Sequence, residues 1–95
     1  MIVEIFLIFD KATTRLAGYP YGRKEYQLQV KEKINYEATN IIIFPNQIEK
    51  IASSFIQGFF AEIIEKVGYE KFDDVVKIKA KDTQLADSIH NDLFV

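Results

Sequence analysis

Four consecutive apolar residues, Ile41, Ile42, Ile43 and Phe44, end at Pro45, and an amphipathic segment follows that runs to Gly68. A run without alternation suits a buried strand central in its sheet, and proline has no N–H with which to continue its ladder. In the segment after it, Phe55, Ile56, Phe59, Phe60, Ile63, Ile64 and Val67 recur at helical spacing. Gln57, Glu62, Glu65 and Lys66 take the opposite side. The pattern predicts a helix from Ser53 or Ser54 to Val67, stopped by Gly68. Strand, tight loop and helix in this order commit the chain to α/β packing.

The flanking sequence repeats the alternation. Ile2 to Phe9 is a near-continuous apolar run, the pattern of a strand covered on both faces. Residues 10–22 read as a loop punctuated by Thr13, Thr14, Gly18, Pro20 and Gly22. From Arg23 to about Ile34 a helix is expected, with Tyr26, Val30 and Ile34 spaced along one face. Val75 to Ala80 alternates: Val76, Ile78 and Ala80 face one way, Val75, Lys77 and Lys79 the other. That is a strand near an edge, where lysines discourage unwanted pairing. Asp82 or Thr83 opens a last helix, with Leu85, Ile89 and Leu93 turned inward. The order is βαβαβα, which predicts a single α/β domain with a largely parallel or mixed sheet.

Composition removes several function classes. A formal charge of −2 argues against a broad nucleic-acid surface, which needs a basic excess. The absence of cysteine excludes disulfides and thiolate metal sites. The apolar N-terminal run lacks a basic leader, is interrupted by Glu4 and is shorter than a membrane span. A buried strand is therefore expected there, with no membrane contact and a cytoplasmic location. No dinucleotide or phosphate-loop fingerprint is present, so no cofactor is expected.

Chemistry concentrates where strands end and helices begin. Ser53 and Ser54 stand at the start of the helix that follows Pro45, where free N–H groups and a partial positive charge suit a phosphate or carboxylate. Three roles are open to such a hydroxyl: accepting a phosphoryl group, binding beside an anion, or capping the helix. Ser54-x-x-Gln57 fits a capping box, whose loss costs about 0.5–2 kcal/mol. Gly18 and Gly22 fit turns that need positive φ, and Arg15 is a candidate anion ligand beside the serines. His90, the one histidine, supplies no metal site alone, and a solvated helix position is its ordinary use. A serine nucleophile would want a base and an orienting acid, and none is implied nearby. A non-enzymatic chain is expected.

Two segments resemble the STAS-like domain family, small relatives of the sulfate-transporter and anti-sigma-factor-antagonist domains. Arg15-Leu16-Ala17-Gly18-Tyr19-Pro20-Tyr21-Gly22-Arg23-Lys24-Glu25-Tyr26 is similar to the family's arginine, glycine, glycine and aromatic pattern entering its first helix. Ile51-Ala52-Ser53-Ser54-Phe55, with Phe59-Phe60 and Glu62 after it, is similar to the family's serine-pair helix start. Ala52 and Phe55 stand where the antagonist pattern has aspartate and glycine. The resemblance implies a small sandwich with helices mainly on one face of the sheet, and a regulatory protein-interaction module rather than an enzyme. It implies phosphorylation of Ser54, with Ser53 beside it, by a histidine-kinase-like ATPase partner. Arg15, Gly18, Tyr21, Gly22 and Gln57 would then form the partner- or anion-binding surface. The alternatives are a small-molecule or anion-binding domain using Arg15, and a structural homodimer with Phe94 and Tyr21 in its interface.

Overall fold

The computed structural model describes residues 1–94 and is an α/β structure with three helices on a parallel sheet. In chain order the elements are β1 (Ile2–Phe6), β2 (Arg15–Leu16), α1 (Tyr19–Gln29), β3 (Thr39–Ile43), β4 (Lys50–Ile51), α2 (Ser53–Val75), β5 (Val76–Lys79) and α3 (Thr83–Leu93). The sheet runs β1-β3-β5, so the uninterrupted apolar run is its central strand and the lysine-bearing strand is an edge. Ile5, Ile42 and Ile78 share one row, and both pairings are parallel. Parallel neighbours need a crossover, and the helices supply it. The two-residue strands β2 and β4 form a separate parallel ribbon inside the loops, with Arg15 level with Lys50.

One face of the sheet carries the core. Ile5, Leu7, Ile42, Phe44 and Val76 point into it and join Tyr26 of α1, Val30 at its C-cap, the phenylalanines of α2, and Ile89 and Leu93 from α3 in one cluster. Phe55 stacks on Phe59 at a centroid distance of 5.6 Å, and Phe60 meets Phe59 edge-on at 4.9 Å. Burial of such side chains from water is the main favourable term in folding. The other face is bare: Ile2, Phe6 and Ile8 are 67%, 59% and 76% exposed. This corrects the expectation that the first strand is covered on both faces. Its residues alternate in burial although they do not alternate in polarity.

Asn40, the second residue of the central strand, is fully buried, and its amide is a polar staple. Its Nδ2 donates to the carbonyls of Asn35 at 2.8 Å, Val75 at 3.1 Å and Ala38 at 3.2 Å, and its Oδ1 accepts the Asn35 N–H at 2.9 Å. Burial without these partners would be costly; with them the amide fixes the turn before β3 to the entry of β5.

The helix boundaries differ from expectation in instructive ways. The first helix begins at Tyr19, inside the stretch read as loop, and ends at Gln29, short of Ile34. Pro20 fits because a first-turn residue needs no intrahelical N–H partner. Gly68 does break the next helix, at φ 78° and ψ 164°, yet the chain resumes a helix and continues to Val75. Of the two starts that the sequence leaves open for α3, Asp82 is the N-cap, accepting the Leu85 N–H at 2.8 Å, and Thr83 is the first helical residue. Among the described residues no helix is long and apolar enough to cross a membrane.

Candidate functional site

The starts of α1 and α2 lie side by side because two glycines let them. A Cβ at Gly22 would sit 2.2 Å from the Phe55 carbonyl oxygen, and one at Gly58 would sit 2.2 Å from the Tyr19 carbonyl oxygen. Gly22 therefore serves helix contact rather than a positive-φ turn, which corrects the first reading of it. Gly18 is the turn glycine, at φ 102°, and it is the N-cap residue of α1. From that crossing the contacts advance together along both helices. Tyr26 meets Phe59 edge-on at 6.3 Å, and its hydroxyl reaches Glu62 at 3.0 Å.

Ser54 lies at this junction, exposed, in the first turn of α2. It is not the cap. Ala52 holds the N-cap position with extended backbone and no side-chain hydrogen bond, so the capping box with Gln57 does not form. The Ser54 Oγ instead accepts the backbone N–H of Gly18 at 3.0 Å. The side chain thus satisfies a donor at the start of the neighbouring helix. The Ala52 N–H donates to the Leu16 carbonyl at 2.8 Å, so ribbon and side chain together stitch the two helix starts. Ser53 is exposed beside it, and among the described residues its hydroxyl has no side-chain hydrogen bond.

The other expected residues divide between two places. Arg15 is exposed on the ribbon and, with Lys50, Ile51, Ala52, Leu85 and Ser88, lines a groove of about 460 Å³ between the ribbon and α3. Among the described residues neither Arg15 nor Lys50 makes an ion pair, so two uncompensated cations border that groove. Tyr21 is half-buried with its ring edge-on to Phe55 at 5.3 Å. Its hydroxyl titrates above the ordinary tyrosine range, because burial disfavours the phenolate and Glu25 repels it. Gln57 lies away from Arg15, in a separate depression bordered by Tyr19, Ile64, Tyr69 and Leu93.

His90 lies on α3 with its side chain 39% exposed, as a helix-surface position expects, but it has partners. It contacts an Asp73 carboxylate oxygen at 2.6 Å and lies against the ring of Phe94, with centroids 4.7 Å apart. Phe94 packs on Phe72 and Tyr69 as well, and Tyr26 belongs to the core. Among the described residues no three His, Asp or Glu side chains gather to hold a metal ion.

One organising residue escaped the sequence reading. The Gln47 amide nitrogen donates to the carbonyls of Asp10 at 2.6 Å and Thr13 at 3.2 Å, pinning the loop before the ribbon to the loop after β3. A polar residue following Pro45 gives no local sign that its partners lie so far back in the chain. No family model, curated protein or solved structure matches this chain.

Proposed function

We propose that the chain is a non-enzymatic regulatory interaction module of the STAS-like kind, docking a protein partner through the start of α2 and the adjoining ribbon. The observation that carries this reading is the exposed Ser54 hydroxyl, held by the Gly18 N–H where two helix starts meet. Phosphorylation by a histidine-kinase-like ATPase partner would move the γ-phosphoryl group of ATP onto the Ser54 oxygen and release the hydroxyl proton. The resulting dianion would sit in the first turn of a helix, where negative charge is tolerated, close to the ribbon that carries Arg15 and Lys50. The fold would persist while the sign of the surface changes, which is what partner exchange requires.

Affinity capture of the tagged chain from its native cells, with intact-mass analysis of the bait, tests the proposal. An ATPase-like partner held by wild type and Ser54→Ala, but lost from Ser54→Asp with unchanged circular dichroism, is the expected result. An unmodified bait, together with a Ser54→Asp variant that keeps every partner, would overturn it.

A second reading rests on the groove itself. Arg15 and Lys50 border a cavity of about 460 Å³ with an apolar floor from Leu16 and Ile51, which suits a small phosphorylated ligand. A ligand bound only by the folded state raises the melting temperature. A rise with nucleotides or inorganic phosphate that Arg15→Ala abolishes would favour this reading over protein docking.

A further inference from the structure

The bare face of the sheet lies on the opposite side from the helices and takes no part in the site proposed above. Parallel sheets are built with both faces covered, because lone parallel ladders leave apolar side chains in water. Here one cover is missing, and the uncovered face is patterned. Glu4, Ile41 and Lys77 share one row across the three strands, and Phe6, Ile43 and Lys79 share the next. The negative charge is on one edge strand, the positive charges are on the other, and two isoleucines lie between them.

We propose that this face binds a second copy of the chain about a two-fold axis that runs along β3, midway between the two sheets. Rotation about that axis keeps each row at its own level and exchanges left with right. The central strand then lies over the partner's central strand, and β1 lies over the partner's β5. Glu4 comes level with the partner's Lys77, and Phe6 with the partner's Lys79, while Ile41 and Ile43 meet their own counterparts. Facing sheets pack about 10 Å apart with strand directions within about 30°. The charge pattern selects this axis. A two-fold axis across the strands would set the lysines of β5 against themselves. The chosen arrangement forms every Glu–Lys contact twice, as an isologous interface must, and leaves those charges at the rim of an apolar centre.

The test is self-association of the whole chain, measured by sedimentation equilibrium and light scattering over a range of concentrations. Wild type should be a dimer. Glu4→Lys and Lys77→Glu should each weaken association by about tenfold or more, because each sets like charges against one another twice. Mixing the two variants in equal amounts should restore a dimer, since the lysine introduced on β1 of one then faces the glutamate introduced on β5 of the other. The double variant should dimerise alone. Circular dichroism should report the same fold throughout. A wild-type monomer at high micromolar concentration would overturn the proposal, and so would a dimer indifferent to both charge changes. Recovery in neither the mixture nor the double variant would also overturn it, because that pairing is unique to the axis proposed.

Discussion

Tyr26 is 2% exposed, and its hydroxyl lies 3.0 Å from a carboxylate oxygen of Glu62 and 3.2 Å from the Tyr36 hydroxyl. To donate to Glu62 the phenol must keep its proton, and losing it would place an anion in a dry site beside a carboxylate. Burial first, then the hydrogen bonds to Tyr36 and Glu62, push its titration well above the ordinary tyrosine value. The sign of the linkage follows. An unfolded tyrosine releases its proton near pH 10, whereas the folded one retains it higher, so above about pH 10 the unfolded chain binds fewer protons. The stabilisation is complete below that pH and declines as pH rises through it. Melting temperature against pH should therefore fall on the alkaline side, and Tyr26→Phe should flatten part of that fall. At neutral pH the same substitution removes a hydrogen bond to a charged group and should cost about 1.5–3 kcal/mol. An alkaline limb of unchanged slope in Tyr26→Phe would show that the phenol titrates freely.

The contact between α1 and α2 depends on backbone meeting backbone. A methyl group at Gly22 would overlap the Phe55 carbonyl and the Phe59 N–H, and neither can rotate aside as a side chain can. The helices would have to separate, loosening Tyr26 from Phe59 and drawing Gly18 from Ser54. Gly22→Ala should destabilise by about 1–3 kcal/mol or more, read by urea denaturation with an unchanged m-value. Gly68→Ala meets no atom within 4 Å, yet its φ of 78° with extended ψ is glycine territory, so it should cost about 1–3 kcal/mol through strain alone. A neutral Gly22→Ala would mean that the helices do not approach this closely. The same contact marks the limit of sequence reading. Ile41 to Phe44 as the central strand, Val76 and Ile78 on one face of an edge strand, and a helix start at Asp82 or Thr83 are all legible, because each follows from local periodicity or local hydrogen bonding. In the sequence Gly22 reads as loop punctuation, because its need is set by residues far along the chain. Ser54 was weighed as a cap for the same reason: its acceptor role is fixed by Gly18, and nothing near it in sequence reveals that partner. The first strand looked doubly buried because an apolar face awaiting a cover and an apolar face already covered are spelled alike.

At the scale of the whole molecule, the two ends of the helical layer are held differently. Around β3 the cover is continuous: Ile42, Phe44, Phe59, Phe60 and Ile63 are all fully or almost fully buried in one cluster, and Phe44 packs on Phe59 at 5.8 Å. Beyond the break at Gly68 the layer continues as the short helix to Val75 and then α3, which contributes Ile89 and Leu93 to the core while Leu85 and Ala86 are only half-buried. That end joins the core through Phe72, buried edge-on to Phe60 at 5.6 Å, and Val75; outside it Phe94 and Tyr69 are exposed, and His90 contacts Asp73. Fewer buried apolar contacts make for a lower free energy of local opening. Native-state hydrogen exchange should find the amides of β3 and of the first half of α2 opening only with global unfolding. Those of residues 69–75 and α3 should open earlier, as one unit. His90→Ala should lower protection across both of these segments and leave β3 unchanged, since the contact it removes joins them to each other. Equal protection of α3 and β3, or a His90→Ala effect spread evenly over the sheet, would mean that the break at Gly68 divides nothing and that the helical layer opens as one piece.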